Sequence, residues 1–367
     1  MGKLKAILDQ GLLRNASDIH LLVGSYPALR VSKELVFLTN LGKITADEQR
    51  MFVRELAENN EEILTLLDKD KILDLNYKYD TQRFRVNVCY AMDVPVCTLR
   101  IIKDQLPKYE SLNLPDIVRE LTLKNQGLIL VTGKPGAGKT TTLSALVNEI
   151  NENQTKKIMI LENPIEYVHE NKKSIVVQKE VGIYGDCVDF HTGVKNALRE
   201  DCDVLVIGEI RDKETMDAAI EMAETGHLVI GTLHTNSCAE TIDRIINFYA
   251  AEEQQTIKHM ISSIIKLIVS QRMVRGTFGN LVMIPEILLV DEQISSIIKR
   301  EKFSNIEIED AMLTRREKGN CGLVFALADA ITTGKITLDQ AMREVDIKNQ
   351  DLLKKVVSQG KPRSFFS

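Results

Sequence analysis

Tryptophan is absent from this chain, and aromatic residues make up only 5% of its 367 positions. No obvious platform for stacking nucleic-acid bases is left. Excess positive charge is missing too. With 47 Lys and Arg against 52 Asp and Glu, the formal net charge is −5, so no global basic field recruits nucleic acid and only a local basic groove remains open. No apolar run reaches the roughly 18 residues that a membrane-spanning helix needs. The opening stretch, MGKLKAILDQGLL, is short and amphipathic, without a signal-peptide core or a small-residue cleavage site. The chain is therefore expected in the cytoplasm, meeting a membrane only through a partner. Six cysteines (Cys89, Cys97, Cys187, Cys202, Cys238, Cys321) form no C-x-x-C pair. That excludes the usual zinc spacing and a disulfide framework, and leaves buried free thiols as the expectation. Internal repeats and low-complexity tracts are also missing.

What is present concentrates in Gly127 to Asn148, GLILVTGKPGAGKTTTLSALVN. Leu128 to Val131 reads as a buried parallel strand, and Leu143, Leu146 and Val147 fall on one helical face after a glycine-rich turn. Gly133, Gly136, Gly138, Lys139 and Thr140 fill the G-x-x-x-x-G-K-[ST] pattern. Glycines without a Cβ let successive N–H groups curl around a phosphate, with the positive end of a helix behind them. Lys139 is placed to reach β- and γ-phosphates, and the Thr140 hydroxyl to ligate Mg²⁺. The nucleotide-contacting segment is thus Gly133, Lys134, Pro135, Gly136, Ala137, Gly138, Lys139, Thr140 and Thr141.

Ahead of this segment the pattern is mixed. A helix is expected over 1–13, then strands over 17–23 and 28–31, with Asp18 and His20 beside the first as solvent-face polar residues. Thr45 and Glu48 form a capping-box signature for a helix to about Ala57. An apolar-periodic stretch at 63–67 precedes three alternating strands, two carried by Leu75 to Tyr79 and Phe84 to Tyr90 and the third by Val94 to Ile102. Such a mixture without βαβ order predicts a small α+β domain over 1–103. A proline-bearing linker covers 104–115. Strand and helix then alternate: strands at 157–161, 174–178, 204–207 and 227–233, helices at 189–199, 213–224 and 238–246. The pattern predicts an α/β ATPase core with a mostly parallel sheet over 116–290 and a helical region over 291–367, apart from a strand pair near 273–290.

Several residues outside the glycine-rich turn are candidates for chemistry. Asp203-Val-Leu-Val-Ile-Gly-Glu209 is an apolar strand ending in a carboxylate; in a P-loop fold it is expected beside the P-loop strand, delivering Glu209 to the metal shell. Leu161-Glu162-Asn163-Pro164-Ile165-Glu166 sets two acids at the carboxyl edge of the sheet, where one could polarise the attacking water; the lesser reading is a surface turn with solvated acids. His227 and His234 lie seven residues apart, hence at opposite ends of one strand and unable to share a metal without a bend. They read as phosphate-sensing or subunit-contact residues, or as satisfied edge histidines. Arg83, Arg85 and Arg100 are either solvated strand arginines or guanidinium groups that reach a neighbouring subunit's γ-phosphate.

Taken together, TGKPGAGKTTTL, ILENPIEYVH, ALREDCDVLVIGEIRD and TGHLVIGTLHTNSCAETIDRI resemble the phosphate loop, aspartate box, second carboxylate motif and histidine box of the type II/IV secretion-ATPase superfamily. Within it the resemblance is strongest to the pilus retraction ATPase (PilT) family, and it runs from about Ala16 to about Asp346. It implies a PAS-like N-terminal domain, a RecA-like ATPase domain, and a homohexameric ring with ATP between neighbouring subunits. It also implies Glu166 as general base, Glu209 with Thr140 on Mg²⁺ and Glu162 as a supporting acid. His227 and His234 become histidine-box residues, and Arg85 and Arg100 N-terminal-domain arginines of the site. The function implied is retraction of pili for twitching motility, with pilus assembly, type II secretion or a weakly hydrolysing partner subunit as alternatives. The partners implied are an inner-membrane platform protein, at the inner face of the cell membrane, and other pilus ATPases. Three places depart from the family pattern: Asn163 stands for an aspartate, Asp93 for a hairpin arginine, and QISSIIKR (Gln293 to Arg300) for AIRNLIRE.

Overall fold

The computed structural model describes residues 2–31, 34–102, 106–182 and 185–358. The chain divides into two compact units, Met1–Gln105 and Leu106–Ser367. The first residues of the expected linker (through 105) and the last nine of the helical region (359–367) lie outside the described residues.

The first unit runs α1 (Lys3–Leu13), β1 (Asp18–Leu21), β2 (Ala28–Val31), β3 (Glu34–Phe37), α2 (Ala46–Leu56), α3 (Glu61–Asp70), β4 (Ile72–Tyr79), β5 (Gln82–Ala91) and β6 (Val94–Ile101). Its six strands form one antiparallel sheet in the order β3-β2-β1-β6-β5-β4. The expected capping box forms: Glu48 N donates to Thr45 Oγ1 at 3.2 Å and Thr45 N to Glu48 Oε2 at 2.9 Å. Alternation along β5 and β6 sends Phe84, Val86, Val88, Cys97 and Leu99 into a core shared with Ile7 and Leu8 of α1 and Phe52 and Leu56 of α2. Asp93 sits exposed on the β5–β6 turn with φ 61°, beside Met92 at 52°. β3 is an edge strand with no buried face, which is why no alternation announced it.

One expectation for this unit fails. Asp18 and His20 are not solvent-face residues beside a strand but members of β1, a central strand. Asp18 is buried, accepting from Ser17 Oγ at 2.8 Å and from Arg100 Nε at 3.0 Å. Long side chains from the flanking strands shade a central position even on the more polar face of a sheet. Burial pushes the Asp18 carboxyl up, yet the bonds from Ser17 and Arg100 and the charge of Arg100 outweigh it and hold the group below its ordinary value.

The second unit runs α4 (Asp116–Thr122), β7 (Gly127–Thr132), α5 (Lys139–Asn153), β8 (Lys157–Glu162), β9 (Ile175–Glu180), α6 (Phe190–Ala197), β10 (Val204–Ile207), α7 (Lys213–Glu224), β11 (Leu228–Leu233), α8 (Cys238–Ile246), α9 (Ala251–Ile264), β12 (Ile265–Arg275) and β13 (Leu281–Leu289). Five helices close it: α10 (Glu292–Ile298), α11 (Asn305–Thr314), α12 (Leu323–Thr332), α13 (Leu338–Met342) and α14 (Ile347–Ser358). The seven strands order as β13-β12-β7-β11-β10-β8-β9, parallel except for the β12–β13 pair. Every residue of β7, β10 and β11 is buried, because helices cover both faces. Leu128 and Leu130 face the core beneath α7 to α11, while Ile129 and Val131 face α4, α5, α12 and α14. Tyr109, Leu112 and Leu114 pack into the second of these cores.

Two further expectations are corrected here. β10 does not lie beside the P-loop strand: β11 separates it from β7, with β12 on the other side. The expectation assumed the simplest P-loop order; here β11, flanked by His227 and His234, is inserted between the loop strand and the acid. The strand pair also starts earlier, at Ile265, because the β-branched run IKLIV pairs in parallel with β7 rather than continuing α9. On α10, Ile294, Ile297 and Ile298 are buried, as its amphipathic spacing predicts. All six cysteines are free, four of them buried.

Candidate nucleotide-binding and catalytic site

The phosphate loop leaves β7 after Thr132 and ends at Gly138, the N-cap of α5, where φ is 86°. At Gly133 φ is 147°, and an added Cβ would sit 2.4 Å from the backbone oxygen of Gln271 on β12. Only glycine fits there, and its close approach lets β12 brace the loop. Gln271 Nε2 donates to Ala137 O at 2.8 Å, a second brace. Lys139 is buried, its Nζ donating to Gly133 O at 2.9 Å and Lys134 O at 3.3 Å. Burial pulls its pKa down, against the opposing charges of Glu209 and Glu166. The ammonium thus rests on loop carbonyls, a contact that a bound phosphate would replace.

At the carboxyl ends of β8, β10 and β11 a cleft of about 260 Å³ opens against this loop. Lys139, Thr140, Glu162, Glu166, Glu209 and His234 line it, with Pro135, Gly136 and Asn163 at its wall. The parallel register brings these strand ends level, Ile207 opposite Gly231 and Leu161. Gly133, Lys134 and Ala137 line a neighbouring cavity of about 280 Å³. A larger one, about 510 Å³, reaches Gly138 and Thr141 from the side of β12 and β13.

Glu209 accepts from Arg211 Nη2 at 2.5 Å and lies 3.1 Å from His234 Nε2. Burial raises its pKa, but the bond and charge of Arg211, with help from His234 and Lys139, bring it below the ordinary value. Burial and the Lys139 charge depress His234 despite Glu209 beside it, so the imidazole is neutral at pH 7 and donates through Nε2–H. Glu162 is different. It is buried, faces the Glu166 charge, and is pushed up to about 8, so it carries a proton at neutral pH. Gln178 Nε2 approaches it at 3.4 Å. Glu166 is exposed at the mouth of the cleft.

The residue types fit a nucleotide and its cation. Among the described residues no group of three His, Cys, Asp or Glu is arranged to hold a metal alone. Magnesium is characteristically held by one or two protein oxygens together with substrate phosphates, which is what Thr140 and Glu209 beside a phosphate loop offer. His227 does not join the cleft. It lies at the far end of β11, its Nδ1 3.1 Å from both Thr225 Oγ1 and Met222 O. Arg85 and Arg100 belong to the first unit, where they stand opposite each other in the β5–β6 register; Arg100 bonds Asp18, and Arg85 is 3.9 Å from Asp74. Arg211 was missed as an individual although it stands two residues after Glu209. Gln271 gave no local signal, because its role depends on β12 lying next to β7.

The family model for "Type II/IV secretion system protein" matches residues 3–280. The chain belongs to this family. Its relatives include the "Type IV pilus retractation ATPase PilT" of Pseudomonas aeruginosa, 32% identical over 337 residues, covering 91% of this chain and 95% of the relative. A "Twitching motility protein" of Neisseria gonorrhoeae is 34% identical over 321 residues, 84% of this chain and 85% of that one. Among solved structures, the crystal structure of the pilus retraction motor PilT with bound ADP superposes with a TM-score of 0.85 at 35% identity, covering 94% of this chain and 98% of the other. Secretion-ATPase family members of this kind are ATP hydrolases, and the antiparallel N-terminal sheet, parallel ATPase sheet and closing helices are the PilT-like fold.

Proposed function

We propose that this chain is a ring-forming, Mg²⁺-dependent ATP hydrolase that powers pilus retraction. The observation that carries the reading is the convergence of Lys139, Thr140, Glu162, Glu166, Glu209 and His234 on one cleft beside the glycine loop. Loop N–H groups of Gly133 to Thr141 and the Lys139 ammonium bind the phosphates of ATP. Thr140 and ionised Glu209 would hold Mg²⁺, which would supply charge neutralisation to the triphosphate. Glu166, exposed at the mouth, takes the proton of the attacking water. Glu162, protonated, contributes a donor rather than a second negative charge. Neutral His234 orients Glu209 and senses whether the γ-phosphate is present.

In a homohexamer the site is completed by Arg85 and Arg100 of the adjoining subunit, and His227 makes a subunit contact. Turnover rotates the first unit against the second as rigid bodies. An inner-membrane platform protein, with other pilus ATPases as co-workers, converts this motion into withdrawal of pilin at the inner face of the membrane. Attachment to the membrane is through these partners; among the described residues no helix is long and apolar enough to cross a membrane.

Steady-state hydrolysis by the assembled protein, compared with Glu166→Gln, tests the reading. The variant is expected to bind ATP normally and to turn over about 10²–10⁴ times more slowly. Equal rates in the two proteins would overturn the assignment of the base. Equal rates per chain in a dilute monomer and in the ring would overturn the motor.

A further inference from the structure

α5 does more than begin at the phosphate loop. Thr141, Ser144, Asn148 and Asn151 recur at three- and four-residue spacing and share one side of the helix. All four are bonded to the segment that follows β8. Thr141 Oγ1 lies 3.2 Å from Tyr167 Oη, and Ser144 Oγ 3.1 Å from His169 Nε2. Asn148 Oδ1 accepts from Lys172 Nζ at 3.0 Å; Asn151 accepts from Lys172 N at 3.0 Å and donates to Glu170 O at 2.7 Å. A second grip comes from β9. Gln178 Nε2 donates to Tyr167 O at 2.8 Å, and Gln178 Oε1 accepts from His169 N at 2.8 Å. Glu166 directly precedes the first of these anchored residues, Tyr167, with its own side chain exposed.

We propose that Tyr167 and His169 are positioning residues that tie Glu166 to the phosphate-binding helix through Thr141 and Ser144. The tie makes loop, helix and base one rigid body, so the water that Glu166 activates is held at a fixed distance from the γ-phosphate. Misplacement by about 1 Å is enough to cost roughly 10²-fold in rate. His169 suits this use. It is buried, burial lowers its imidazole to about 4, and it therefore stays a neutral partner for Ser144 across the working range of pH. The inference rests on Glu166 being the base, as proposed above.

The test uses the full-length assembled protein and two hydroxyl deletions, Tyr167→Phe and Ser144→Ala. For each, kcat and KM for ATP, the Kd of a non-hydrolysable analogue and the melting temperature are measured beside Glu166→Gln. The expected result is a fall in kcat of about tenfold, the scale of one hydrogen bond, with KM and Kd within about twofold. A purely structural role would lower the melting temperature and leave kcat in place. Wild-type kcat in both variants, with Glu166→Gln inactive, would overturn the positioning role alone. A rise in Kd matching the fall in kcat would also overturn it, by making these residues part of nucleotide binding. Full activity of Glu166→Gln would remove the base assignment itself, a separate and recognisable failure.

Discussion

The two sheets of this chain carry their functional candidates in opposite ways. In the second unit, β7, β10 and β11 are buried on both faces, so no charged side chain lies along them and the candidates for chemistry gather at their carboxyl tips. In the first, β5 and β6 alternate, with one face given to the core and the other left polar. There a row of Arg30, Asp18, Arg100, Arg85 and Asn76 runs directly across five strands, on a face of the sheet rather than beyond the strand ends. The comparison teaches that a covered parallel sheet offers its candidate residues where its strands end, whereas an alternating antiparallel sheet offers them on its polar face. A cleft of converging tips can enclose a phosphate. An open row of guanidinium groups is suited to meeting a charge that arrives on another surface.

The sharpest way to break this contrast is to remove the charge inside the tip cleft. Lys139→Ala is expected to abolish turnover and to cost most of the affinity for ATP, because the cleft loses its buried lysine, the cation proposed to bind the phosphates. Nucleotide titration and hydrolysis assays check this together, and wild-type turnover in the variant would refute the site. Next in size come the open-face arginines. Arg85→Ala and Arg100→Ala should leave ATP affinity of the isolated subunit intact and lower the rate of the assembled ring by a factor on the order of 10³ if each meets the γ-phosphate. They should differ in stability. Arg100→Ala also strips the bonded cation from buried Asp18 and should melt the first unit earlier, while Arg85, 3.9 Å from its acid, should change melting little. A rate loss that merely tracks the loss of melting temperature would reduce the row to a structural feature.

Legibility in the sequence followed the same divide. The continuous apolar runs of β7, β8 and β11 and the exact spacing of glycines were local signals, so the parallel unit and its loop were readable residue by residue. Thr45 and Glu48 announced a helix start for the same reason. Strand order was not local. Nothing in Asp203 to Glu209 says that β11 intervenes before the loop strand, and nothing near Gln271 says that it clamps Ala137. The burial of Asp18 was equally hidden, since it depends on which strands flank β1. Charge state was the least legible property: Glu162 and Glu166 look alike four residues apart, yet one is buried and the other exposed, and burial is the main cause that raises the Glu162 carboxyl.

That separation supplies the smallest expected effect and the finest test of the tip cleft. The Glu162 carboxyl is raised from an ordinary 4.5 to about 8, so between these values the folded chain holds a proton that the unfolded chain has released. Stability of the nucleotide-free second unit should therefore decline as pH rises from about 4.5 to about 8 and level off above. Glu162→Gln keeps the shape and has no proton to lose. It should melt close to wild type at pH 5 and above wild type at pH 9, as followed by circular dichroism in the absence of nucleotide. Parallel curves for the two proteins across this range would mean that Glu162 is already ionised at neutral pH, and that the cleft holds one acidic charge more than its packing argues for.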